Sequence, residues 1–408
     1  MIIIPLIIIL VIFLIRIQKG MFAALLLVVA TKSIIDAFWE YRVGPLSFSS
    51  FGGIIIPLIF FPVLKKQKIF PNFWKKNSYL LLAALSLGFI FALPIKPLET
   101  IELMLIVINI FFAFYIIPYL VRDSKKLKQL LLAIIISGVF PIVVSLYQFQ
   151  TGVVFQERET VGLTRYVGFY HDAFPVRFYG LFTLFSIIAF FHLFKPKNKI
   201  FSYGLMLVGL GALFSVYLVF SKAAVAIIGL WVILILIFSR LRFRAAFTIM
   251  AVVIVLGLVF GDTLFSNIEQ LFSKEVGYQT GEIKDARFTL AGRGYIWQDY
   301  WQFWATEQAT LFQWFGDGIG RPSHNEYFRI LLLNGIVGLF FFLVYLFSTV
   351  KIVFKSNKKV KVLCFMLMGM YLIDCIGLDT GYYYYYNILL WGIIGLFVTR
   401  KESFFYQS

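Results

Sequence analysis

Acidic side chains are scarce in this chain. Asp and Glu number 20 against 37 Lys and Arg in 408 residues, and charged residues of both signs make up 14%, where an ordinary soluble domain carries about 25%. A deficit of that size over the whole length excludes a single soluble core and implies many membrane spans. Histidine is rarer, with three residues, and cysteine rarer still, with two; no cluster of either has metal-ligand spacing. Cys364 and Cys375 lie in one apolar run; if helical they stand about 16 Å apart, too far for a disulfide. A P-loop, a dinucleotide-binding glycine fingerprint and a metal-binding carboxylate cluster are all missing, which argues against nucleotide-dependent chemistry. The first apolar run also lacks the basic start and small-residue cleavage site of a secretory signal.

What fills the chain instead is apolar: 61% hydrophobic residues, with 48 Phe, 22 Tyr and 8 Trp. A spanning helix needs roughly 20 mostly apolar residues. Suitable runs lie at 1–17, 21–38, 47–64, 79–94, 98–121, 130–149, 176–194, 200–220, 223–239, 245–261, 324–350, 362–379 and 387–399. The expected fold is therefore an all-α polytopic membrane protein of twelve or thirteen transmembrane helices, with 1–408 as one transmembrane domain. Phe220-Ser221-Lys222 reads as a tight turn between two spans, and Tyr382–Tyr386 as an interfacial aromatic belt.

The net charge of +17 would suit nucleic acid, but its distribution argues for a membrane and no nucleic-acid partner. Basic residues gather in short alternate loops: Lys65, Lys66, Lys68, Lys75 and Lys76; Arg122, Lys125, Lys126 and Lys128; Lys195, Lys197 and Lys199; Arg240, Arg242 and Arg244; Lys351, Lys355, Lys358, Lys359 and Lys361. That pattern marks the cytoplasmic side. The opposite loops, 150–175 and the large 262–323, are longer and mixed in charge, and so read as extracytoplasmic. A long loop on a compact bundle is usually functional.

Within the large loop, Trp297, Trp301 and Trp304 recur at helical spacing, with Asp299, Gln302 and Glu307 free to face water. The expectation is an amphipathic helix lying on the membrane surface; the alternative is a loop packed on the bundle. Next come Gly316, Gly318 and Gly320 at alternate positions, then Arg321-Pro322-Ser323-His324-Asn325-Glu326. Ser323 and Glu326 match a capping box, which starts a helix at His324. A neutral imidazole there can take a proton from a hydroxyl, and the helix start with Arg321 can hold an anion such as phosphate. Equally, His324 alone could be an ordinary helix-start residue and Glu326 only a cap. Gly335 and Gly338 would let neighbouring helices approach. Lys32 and Asp36, at i and i+4, are expected to pair.

Several of these pieces together resemble the O-antigen polymerase and O-antigen ligase superfamily. They are His324-Asn325, nine residues, then Gly335-Ile336-Val337-Gly338; Gly292-Arg293 followed by Trp297; Phe315-Gly316-Asp317-Gly318; Phe220-Ser221-Lys222-Ala223-Ala224; and Arg165-Tyr166-Val167-Gly168-Phe169. They cover roughly residues 160–340 in the order of that family. The resemblance implies a GT-C-like membrane glycosyltransferase of the bacterial inner membrane. Its donor would be an undecaprenyl-diphosphate-linked oligosaccharide, its working face periplasmic, and its cofactors none. It implies His324 as catalytic base, Arg165, Lys222 and Arg293 as diphosphate-binding, and Asn325 and Glu326 as support for acceptor and helix start. Lys222 stands where the family has arginine, so the charge is kept without the bidentate fork. A polymerase would pass its chain to another lipid-linked repeat unit; a ligase would pass it to lipid A core. Membrane lipid and a chain-length regulator would be the further partners. A polysaccharide flippase is the reading of another class, expected to show paired broken helices and internal repeats.

Overall fold

The computed structural model describes residues 3–43, 46–48, 72–238, 261–263 and 265–405. Among the described residues the helices through Phe238 are α1 (Ile3–Lys19), α2 (Met21–Asp36), α3 (Asn72–Ala92), α4 (Pro97–Leu120), α5 (Ser124–Thr151), α6 (Ala173–Phe194), α7 (Lys199–Leu218) and α8 (Lys222–Phe238). Three short helices follow in the large loop: α9 (Ser273–Gln279), α10 (Arg293–Gln302) and α11 (Thr310–Phe315). The chain finishes with α12 (Glu326–Lys355), α13 (Lys358–Gly377) and α14 (Tyr384–Thr399). Among the described residues the strands form only two two-stranded antiparallel hairpins, β1 (Arg42–Val43) with β2 (Leu46–Ser47) and β3 (Glu159–Thr160) with β4 (Leu163–Thr164).

Of the thirteen apolar runs, 47–64 and 245–261 lie outside the described residues apart from their ends, and each of the other eleven coincides with one helix. Lys65, Lys66, Lys68, Arg240, Arg242 and Arg244 also lie outside them. Among the described residues, five helices (α5, α6, α7, α12 and α13) are long and apolar enough to cross a membrane, and α8 and α14 are shorter apolar helices. The chain is an all-α membrane protein.

Contacts divide the chain into two compact units. The first holds Met1–Gly52, Leu120–Ser273 and Lys401–Ser408; the second holds Gly53–Tyr119 and Lys274–Arg400.

In the first unit α5 packs on α6, α2 and α7, and α6 packs on α7. Lipid gives apolar helices no hydrophobic reason to associate, so close packing must do it. Small residues allow that closeness here. A Cβ added to Gly138 would stand 1.8 Å from Thr183 Oγ1, and one on Gly180 would stand 2.4 Å from Val216 Cγ2. Asp123, Asp172 and Asn198 cap α5, α6 and α7 by accepting backbone N–H bonds, as short polar residues at helix starts do. Lys32 pairs with Asp36 as their spacing predicts, and Asp36 also accepts the Tyr179 hydroxyl at 2.6 Å. The pair is therefore satisfied within the span, where a lone charge would be costly.

In the second unit α12 packs along α3, α11 packs on α12, and α13 packs on α12 and α14. Trp74 and Trp391 are both fully buried, and each donates its indole N–H, to Thr349 Oγ1 and Asn387 Oδ1 respectively. The helix α12 is broken at Gly335, where φ is 66° and ψ −172°, a combination essentially reserved for glycine. The end of α11 and the backbone that follows it cross at the break. A Cβ on Gly335 would lie 2.3 Å from the Trp314 carbonyl, and one on Gly316 would lie 2.1 Å from Leu333 O. Leu333 O accepts the Gly318 N–H at 3.1 Å, and Asn334 donates to Leu85 O at 2.8 Å.

Three sequence expectations change here. Gly335 makes room for a loop backbone and not for a neighbouring spanning helix, while Gly338 faces Asn334 of its own helix. Tyr384, Tyr385 and Tyr386 are buried, with Tyr386 donating to Asp374 at 2.9 Å, so these rings are packing residues and not a lipid-facing belt. The helix starts at Glu326 and not at His324, because Asn325 is its cap.

Candidate functional site: the turn before the broken helix

The residues from Arg321 to Glu326 form a tight turn that feeds α12. Asn325 Oδ1 accepts the N–H groups of Tyr327 and Phe328 at 3.0 and 3.2 Å, so two of the helix's free donors are satisfied by one side chain. Ser323, expected as the cap, instead donates to Asp379 Oδ1 at 2.5 Å. The same carboxylate takes the Asn325 N–H at 3.1 Å on Oδ1 and the His324 N–H at 3.0 Å on Oδ2. Asp379 lies between α13 and α14, so this one group ties the histidine turn to the next connection of the second unit.

The bonds hold His324 at φ +50°, a left-handed conformation that costs a side-chain-bearing residue about 1–2 kcal/mol. His324 is exposed, while Ser323, Asn325 and Glu326 around it are buried. A strained residue fixed by buried neighbours and presented outward is the arrangement expected of a working group.

Glu326 is not the second half of a capping box. It forms a bidentate pair with Arg329, at 2.6 and 2.7 Å, with both residues almost fully buried. Glu326 Oε2 also accepts the Gly381 N–H at 2.9 Å, and the Arg329 guanidinium lies over the Tyr382 ring at 5.1 Å. A Cβ on Gly381 would come within 2.1 Å of Arg329 Nη2. Burial pushes the Tyr382 hydroxyl up to about 12, so at neutral pH it is a phenol and adds no charge beside the pair.

Cations surround the turn. Arg321 is held by Asp317 in a fork at 2.6 and 3.0 Å and lies over Phe303 at 4.7 Å. Arg293 is the first residue of α10, and its Nη1 lies 3.0 Å from where a Cβ on Gly377 would stand. Trp297, one turn on, donates its indole N–H to Ser323 O at 3.1 Å and stacks on Phe328. The expected aromatic helix is thus present over Arg293–Gln302, but its three tryptophans divide. Trp297 packs on the histidine turn, whereas Trp301 is exposed and touches Trp304.

The second unit therefore brings together Arg293, Arg321, His324, Asn325 and Glu326. Arg165 and Lys222 meet in the first unit, at the turn between α7 and α8. Phe220 sits there at φ +43°, and Arg165 Nη2 donates to its carbonyl at 3.1 Å. Lys222 begins α8, with its ammonium 5.6 Å from the Phe272 ring. Arg177 reaches the same turn, donating to Ser221 Oγ at 2.8 Å.

Sequence reasoning missed Arg329, Asp379 and the place of Arg177. Arg329 had a signal: an arginine in an apolar run, three residues after Glu326, calls for a partner at helical spacing. Asp379 had none, because only the fold brings it to a turn 55 residues earlier. Among the described residues no group of three or more His, Cys, Asp or Glu side chains is placed to hold a metal ion. No protein-family model and no curated protein matches the chain.

Proposed function

We propose that the chain is a GT-C-like membrane glycosyltransferase that polymerises surface polysaccharide such as O-antigen from undecaprenyl-diphosphate-linked oligosaccharides. The reading puts it in the bacterial inner membrane with its loops outward, as the lysine distribution favours. The observation that carries it is His324: exposed, in a left-handed turn fixed by Asp379, at a helix start, with Arg293 and Arg321 in the same unit.

In this reading the hydroxyl of one lipid-linked repeat unit hydrogen-bonds His324, which takes its proton. The hydroxyl oxygen bonds to the anomeric carbon of the donor, and the bond from that carbon to the phosphate oxygen breaks. Undecaprenyl diphosphate leaves with the electron pair, and a single displacement inverts the anomeric centre. Cations stabilise charge where it develops; Arg293 and Arg321 can do so beside His324. Arg165 and Lys222 are assigned diphosphate binding on the resemblance of their motifs. Donor affinity measured on Arg165→Gln and Lys222→Gln tests them separately from His324.

The experiment is reconstitution of purified protein with one lipid-diphosphate-linked repeat, alongside His324→Ala. A ladder of multimers lost in the variant supports the polymerase. Transfer only when lipid A core is supplied would make it a ligase. A flippase reading gains one observation, the break in α12, since transporters build sites at broken helices. Here the break is filled by the backbone of Trp314–Gly318, and the freed Leu333 carbonyl is already bonded to Gly318. Lipid flipping without any transfer would nevertheless favour it.

A further inference from the structure

The depth of the Trp314–Gly318 crossing can be read from α12 itself. Between Arg329 and Lys351 the helix carries 21 residues with no charge, Ile330–Val350. At 1.5 Å per residue that is about 31 Å, matching the ~30 Å hydrocarbon core of a bilayer. Gly335 is five residues past Ile330, about 8 Å inside that layer by the same rise. The Trp314 carbonyl and Phe315 N–H lie against Gly335, and Gly316 lies against Leu333 and Asn334.

A second helix gives the same placement. A Cβ on Gly318 would stand 2.2 Å from Gly88 O, and Phe312 touches the Phe91 ring edge-on. Both partners belong to the apolar end of α3, ahead of Lys96.

Non-helical backbone in hydrocarbon is tolerated only where its polar groups are satisfied by protein. Three N–H groups of the crossing have protein partners here. Gly316 N–H donates to Phe312 O at 2.7 Å, Gly318 N–H to Leu333 O at 3.1 Å, and Ile319 N–H to Asp317 Oδ1 at 2.9 Å. The Gln313 amide donates to Trp304 O at 2.8 Å. The outward side of the same segment is apolar: Leu311 and Trp314 are each 51% exposed.

We infer that residues 310–318 form a re-entrant segment whose Leu311 and Trp314 side chains contact lipid acyl chains of the leaflet on the His324 side. Acyl chains are favoured over a second protein because this surface is continuous in depth with the spanning stretch of α12, whose Phe340 and Phe347 are exposed. The inference is independent of glycosyl transfer.

The test uses the full-length protein in lipid nanodiscs with a nitroxide on Leu311→Cys, measured for collision with oxygen and with a water-soluble nickel chelate. Phe347→Cys on α12 gives the acyl reference and Glu282→Cys on the large loop the aqueous one. Leu311→Cys is expected to match the acyl reference, with high oxygen and low nickel collision. Nickel collision at the aqueous level would overturn the inference, as would protection from both probes, which means protein covers the site. Should Leu311→Cys fail to fold, Trp314 serves directly. Fluorescence lost between wild type and Trp314→Phe must be quenched by acyl-brominated lipid, and failure to quench overturns the inference.

Discussion

Gly335→Ala is the sharpest single test of how the second unit is built. The substitution meets two separate penalties. The backbone there, at φ 66° and ψ −172°, costs a non-glycine residue about 1–3 kcal/mol. The new methyl group would also stand 2.3 Å from the Trp314 carbonyl, and forcing extra volume into a packed site costs a further ~1–3 kcal/mol. Together they predict a loss of about 2–6 kcal/mol, on the order of 10 °C in melting temperature for a unit of this size. The chain carries its own reporter: Cys364 and Cys375 are both free and buried in the second unit. Heating with a thiol-reactive dye therefore reads the unfolding of that unit. Gly204→Ala, in α7 of the first unit where a Cβ meets nothing within 4 Å, is the control and should leave this transition where it is in wild type. If Gly335→Ala melts together with wild type, the loop backbone does not cross α12 at that point, and the re-entrant segment goes with it.

Other expectations follow from the site. Glu326→Gln strands the buried Arg329 guanidinium and should cost about 3–5 kcal/mol; Glu326→Gln with Arg329→Met should recover part of that loss in the same melting assay. Asp379→Asn weakens charge-assisted bonds of ~1.5–3 kcal/mol each to the histidine turn. In the reconstituted reaction it should lower kcat about tenfold to a hundredfold with little change in KM for the donor. In the large loop, Arg287 holds the Asp285 carboxyl well below its usual range by hydrogen bonds. A carboxylate lowered in this way adds stability above its unfolded value, about 4, and loses it only as pH falls through the lower folded value. Resistance of the loop to pepsin should thus persist below pH ~4, and Arg287→Gln should raise the pH at which it is lost toward that value.

Much of the architecture was legible because apolar run length maps directly onto helices. Each run within the described residues became one helix, and Lys32 found Asp36 at the expected spacing. The histidine turn was legible as a place but not as a mechanism. Ser323-x-x-Glu326 reads as a capping box, yet Asn325 caps the helix two residues later through the Tyr327 and Phe328 N–H groups, while Ser323 donates to Asp379 and Glu326 pairs with Arg329. Glycine spacing is ambiguous in the same way. Gly335 and Gly338 look alike to a helix-packing rule, and only the path of the chain distinguishes a break from a close contact. The Tyr382–Tyr386 run failed because aromatic enrichment cannot tell a lipid interface from a packed core.

The order of segments in the second unit bears on how the protein is made. Gly53–Tyr119 and Lys274–Arg400 are separated by most of the first unit, and Asn334 bonds a carbonyl 249 residues earlier, at Leu85. At about 5–20 residues per second, α3 waits roughly 12–50 s on the ribosome's schedule before α12 exists to cover it. During that interval Leu85 O lacks the Asn334 amide, and the backbone at Gly88 lacks the Gly318 crossing that later packs on it. The Leu120–Ser273 part of the first unit is made meanwhile, while its last piece, Lys401–Ser408, follows α14. Biogenesis is therefore ordered by the interleaving itself. A truncation before residue 326 should leave the Leu120–Ser273 part of the first unit in place and α3 without its α12 partner, held by contacts such as Trp74 on Tyr115.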